Sequence, residues 1–188
     1  SSEAASSASA SASAESTGTE GSSAAETADM YTNEYFGIRF NLPEGWSFAD
    51  ADALGSTNQV VAAVNQGSSI DMAALNADQS QIVLVGLETP SDATADVTAG
   101  QYLESLEEQL KTNLGGTYVY TTVSATITFD GIDRELPASI ISFDLGGGEL
   151  CVCEAVAEQD GAFLSVIAMG ASEEKVTSAF ENFSAATA

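Results

Sequence analysis

Tyr35-Phe-Gly-Ile-Arg-Phe-Asn-Leu-Pro-Glu-Gly-Trp46 decides how this chain is read. Phe36, Ile38, Phe40 and Leu42 alternate with Gly37, Arg39 and Asn41. A period of two is that of a half-buried strand. Pro43-Glu44-Gly45 predicts a turn, and Trp46 and Phe48 alternate in a second short strand. The expectation is a hairpin with aromatics on its inner face.

Upstream the character changes. Ser1 to Asp29 is almost wholly Ser, Ala, Glu, Thr and Gly, without Lys, Arg, aromatic or large aliphatic residues. Ordering each backbone residue costs roughly 1–2 kcal/mol, which such small side chains do not offset. Residues 1–29 are therefore expected to be a disordered spacer and residues 30–188 one folded domain. A flexible spacer of that length spans about 30 Å on average, suited to crossing a cell-surface layer.

Downstream, Asp50 caps a helical stretch over 51–65, read as one interrupted helix or two short ones, with Val60, Val61 and Val64 on one edge. Ile70–Leu75 and Ile82–Leu87 predict a hairpin whose second strand, nearly all apolar, is covered on both faces. Thr98 and Gln101 form a capping box. Tyr102, Leu103, Leu106, Leu110 and Leu114 then mark an amphipathic helix over about 99–113, with Glu104, Glu107 and Glu108 facing away. Strands follow at 117–123, 125–129, 132–136 and 139–145, with a bulge or edge at Pro137. Leu150–Ala157 and Ala162–Ala168 make a last hairpin, and Ser172 caps a closing helix carrying Val176, Ala179, Phe180 and Phe183. This order predicts an α+β fold: an antiparallel sheet of about six or more strands sandwiched by helices.

The net charge of −24 comes from 28 acids against 4 bases, Arg39, Lys111, Arg134 and Lys175. Such a surface repels nucleic acid and anionic lipid. It favours solubility, cationic partners and loosely held divalent ions. No run approaches the 18 or so apolar residues of a membrane helix. The chain opens in its spacer with neither an initiator Met nor a signal peptide, so a removed leader and a lipidated Cys before Ser1 are expected, the alternatives being a secreted protein or a linker cut from a larger chain.

The quoted stretch at 35–46, together with Asp71-Met-Ala-Ala74, the Thr98–Leu110 helix and the closing strand, Ser cap and Phe-x-x-Phe helix at 162–183, resembles the PsbP-like superfamily, which includes the phage-adsorption lipoprotein DcrB. The likeness covers about residues 31–185 and is strongest to spacer-bearing bacterial lipoproteins. It implies an antiparallel sheet between helices. It implies no activity, because the superfamily's functions diverge, and no metal, because this chain has no His and no matching ligand residue.

Residue by residue, no catalytic, cofactor or metal site is assembled. Without His, only Lys111 and Lys175 could activate a nucleophile, and both are expected on exposed helix faces where an ammonium keeps its proton. Cys151 and Cys153 point to one strand face, at the outer limit for a disulfide, and read as small buried hydrophobes or a strained redox pair. Asp50-Ala-Asp52-Ala-Leu-Gly55 reads as a helix cap before a calcium loop, and Asp130-Gly-Ile-Asp133 as a turn. Gly146-Gly-Gly148 leads into a strand and reads as a hairpin turn. Trp46 reads as core, Tyr118 and Tyr120 as candidates for an exposed binding pair on one strand face, and Arg134 and Glu135 as residues of an open sheet edge.

The expectation is a noncatalytic lipoprotein ectodomain on the extracellular face of a bacterial membrane, or secreted, that binds an envelope protein or a small ligand. The alternatives are an extracellular hydrolase using paired carboxylates and a solute or divalent-cation carrier.

Overall fold

The structure is a computed structural model that describes residues 24–27, 29–65, 69–114 and 116–186. Among the described residues, eleven strands form two antiparallel sheets. The larger has seven strands in the order β4 (Trp46–Phe48), β5 (Ser69–Asn76), β6 (Ile82–Glu88), β10 (Ala162–Gly170), β9 (Glu149–Gln159), β8 (Leu136–Asp144) and β7 (Val119–Ile127). The smaller has four, in the order β1 (Ala24–Thr27), β2 (Met30–Asn33), β3 (Ile38–Asn41) and β11 (Phe183–Ala185).

The large sheet is the middle layer. On one face lie α1 (Ala51–Gly55), α2 (Gln59–Asn65) and α3 (Ala99–Leu114). Leu106, Leu110 and Leu114 of α3 meet Ile141, Phe143, Val152, Val156, Phe163 and Ile167 there. At about 1.5–3 kcal/mol for each fully buried aliphatic side chain, this stripe fixes α3 to the sheet. The other face carries Val83, Val85, Cys151, Cys153, Ala155 and Val166. It is covered by Tyr31, Phe40 and Phe183 of the small sheet and by Val176 and Ala179 of α4 (Glu173–Ala179). The predicted α+β class and dominant antiparallel sheet are present, but helices cover only one face alone. The second cover is mostly a small sheet.

The expected hairpin around Pro43 does not form. β3 pairs with β2 and β11, whereas β4 pairs with β5, so the Pro turn carries the chain from one sheet to the other. Alternation shows that a strand has a buried face but does not choose its neighbour. The strands expected at 117–123 and 125–129 are one strand, β7, and 132–135 is a connection without strand pairing. Pro137 pairs with Thr126 on β7, and the β8–β9 pairing begins only at Ala138, so the missing N–H falls just outside the pairing with β9. Ala24–Thr27, inside the expected spacer, pairs with β2 through its backbone. Main-chain pairing does not require large side chains, which is why composition missed it. Residues 1–23 of that spacer lie outside the described residues.

Candidate functional site

Two places stand out, one at the edge of the large sheet and one in its centre. β7 forms the edge. It pairs with β8 along its whole length, and among the described residues nothing pairs with its outer side. Its sequence, Val-Tyr-Thr-Thr-Val-Ser-Ala-Thr-Ile, has no charge and no Pro. Edge strands usually carry Lys, Pro, a bulge or a cover that prevents a further strand from joining. Here Val119 is 77% exposed and Val123 53% exposed. β-Branched residues favour the extended strand, so the edge is preformed.

A groove of about 360 Å³ opens at the start of this strand, lined by Val119, Tyr120, Thr121, Ser142, Asp144, Gly148 and Glu149. Asp144 and Glu149 pair directly across β8 and β9. The Asp144 carboxylate accepts the Gly146 N–H at 2.8 Å, which shapes the glycine turn. Gly146 adopts φ of 76°, a left-handed value that glycine tolerates without a Cβ clash. Tyr120 lies on the opposite face of β7, its ring 5.9 Å from that of Phe143, and is partly exposed.

The central feature is Glu154. On β9, Val152, Glu154 and Val156 point towards α3 while Cys151, Cys153 and Ala155 point away. Glu154 is 0% exposed, and neither carboxyl oxygen has a hydrogen-bond partner. Ser139, opposite it on β8, and Ser165 on β10 also have buried hydroxyls without partners. Burial, reinforced by the negative charge of Glu107 and opposed by Lys111, pushes the Glu154 carboxyl up to about 8. It is therefore predominantly protonated at neutral pH. A raised carboxyl is what an acid catalyst needs, but full enclosure beneath α3 keeps a substrate bond from reaching it.

The residues singled out in the sequence are scattered. Asp50 caps α1 by accepting the Ala53 N–H at 2.8 Å. Thr98 and Gln101 cap α3 reciprocally. Gly131 turns the chain at φ of 74°, so Asp130-Gly131 is a turn. Cys151 and Cys153 are buried free thiols, and burial raises both, Cys153 to about 12. Trp46 is half-buried against the core. Tyr118 packs beside α3. Arg134 donates to the Glu158 carbonyl at 3.1 Å from a connection, so it does not lie on the open edge. Lys175 is exposed as expected, but Lys111 is not: only 18% of its side chain is exposed, and its ammonium bonds Glu107 at 2.9 Å. Glu107 accordingly lies along the helix flank and does not face away from the sheet. Among the described residues no three acid or thiol side chains converge as metal ligands, and no helix is long and apolar enough to cross a membrane.

Sequence reasoning missed both places. Glu154 had a signal: it is the one acid inside Leu150–Ala157, a strand apolar on both faces. β7 had none, because strand order is not written in the local pattern. Compared with models of known families and with curated proteins, the chain matches none.

Proposed function

We propose that this protein is a noncatalytic binding module, displayed on the extracellular face of a bacterial cell envelope, that engages a protein partner along β7. The observation that carries the reading is the edge itself: a long, exposed, uncharged, Pro-free strand with one side of its backbone unpaired among the described residues. Main-chain groups along such an edge supply affinity, and the side-chain pockets beside it supply selectivity. The Ser/Ala/Glu composition of residues 1–23 supports display on a spacer, and the net charge of −24 supports a soluble, non-adhesive surface. The PsbP-like resemblance of the 35–46 segment is compatible with a lipid-anchored accessory protein.

The test is site-specific photo-crosslinking on cells. A photoreactive residue at Thr121 is compared with one at Glu104, an exposed position on α3. A discrete product from position 121, absent at 104, supports the reading. Equal labelling at both positions, or turnover by the purified protein on a hydrolase panel, overturns it.

A further inference from the structure

We propose that the outer edge of β7 receives an extended, basic segment of a partner protein as an eighth strand of the large sheet. This rests on the reading of β7 as the binding edge and adds the chemistry of what binds. Three features select that occupant over a second copy of the chain or a neutral strand.

The first is the charge at the groove. Asp144 and Glu149 are cross-strand neighbours of like sign, and no Lys or Arg is among the residues lining the groove. Like charges directly opposite each other in a sheet are destabilising, so a cation placed beside them gains from both. Asp144 pairs with Val119, one strand in from the outer edge. An incoming strand would lie about 10 Å from β8, two strand spacings away. An Arg or Lys side chain together with the Asp144 side chain spans that distance.

The second is the apolar part of the same face. Val119 and Val123 lie on the same face of β7 and are the exposed large hydrophobics of that face. β-Branched or aliphatic residues on the incoming strand, set alternately with the basic ones, would cover them. The third is the repulsion between copies. Each chain carries −24, which opposes antiparallel pairing of two β7 edges even though the strand itself is neutral.

The experiment uses the full chain and three blocked peptides of equal length, alternating Val and Thr, with Arg, Gln or Glu at the same positions. Fluorescence anisotropy reads affinity, and amide hydrogen exchange reads protection of residues 119–127. The Arg peptide is expected to bind about tenfold more tightly than the Gln peptide at low salt and to protect the β7 amides, with the advantage shrinking as salt rises. Asp144→Asn with Glu149→Gln removes the preference for Arg, while the Asn side-chain oxygen can still accept the Gly146 N–H. Val123→Lys weakens binding of the Arg peptide most. Equal binding of the Arg and Gln peptides overturns the basic partner and leaves strand addition standing. No protection of β7 by any peptide overturns both. A concentration-dependent dimer that is lost in Val123→Lys overturns the basic partner in favour of a second copy.

Discussion

Ser139 and Glu154 stand opposite each other on β8 and β9, beneath α3, and neither side chain has a hydrogen-bond partner. Removing a carboxylate from water is far more costly than removing a carboxylic acid, so the proton stays on Glu154 in the folded state. The unfolded chain gives it up near the ordinary value of 4.5, the folded one near 8.

The stability of the fold is therefore expected to fall with rising pH. Below about 4.5 both states hold the proton and Glu154 contributes no pH dependence. Between about 4.5 and 8 the folded state binds the extra proton, and stability declines by about 1.4 kcal/mol per pH unit from this group. Above that range both states are ionised and the loss is complete. Urea titrations from pH 5 to 9 should show Glu154→Gln without this decline and more stable than the parent at the alkaline end. Parallel curves for the two proteins would refute the buried proton.

Leu110 of α3 is 2% exposed within the cluster that includes Ile141 and Val152. Leu110→Ala should lower the unfolding free energy by about 2–5 kcal/mol, through lost burial and the space left behind. Chemical denaturation followed by far-UV circular dichroism measures it.

Gly170 lets α4 approach β10. A Cβ there would meet the Val176 Cγ1 at 3.3 Å and the Lys175 Cβ at 3.4 Å. Gly170→Val should cost about 1–3 kcal/mol by overpacking this contact. Faster amide exchange in α4 than in α3 would localise the damage.

The thiols of Cys151 and Cys153 should be inert. Burial raises both above the ordinary thiol value, and the charged groups that act on them, Glu149, Glu154 and Glu173, are acids that further disfavour the thiolate. An aromatic disulfide reagent at pH 8 should titrate neither in the native protein and both in denaturant. Rapid native reaction of either thiol would contradict the packing described for β9.

Much of the architecture was legible locally. The α3 stripe, its Thr98–Gln101 box, the β5–β6 and β9–β10 hairpins, and the Asp50 and Ser172 caps all follow from spacing or from side chains that bond within a few residues. Where partners are distant the pattern fell silent. Phe40 and Phe48 show the same alternation yet belong to different sheets, and nothing near Trp46 names β5 as its neighbour.

The sequence by itself determined the α+β class, the acidity and the residue types that could be buried, because these depend on composition and on periods of two and 3.6. Only the tertiary structure decided that β7 is an open edge, that Asp144 and Glu149 share a groove, and that Glu154 is sealed beneath α3. Exposure and electrostatic environment depend on which strands become neighbours. That choice is made by pairing between segments far apart in the chain.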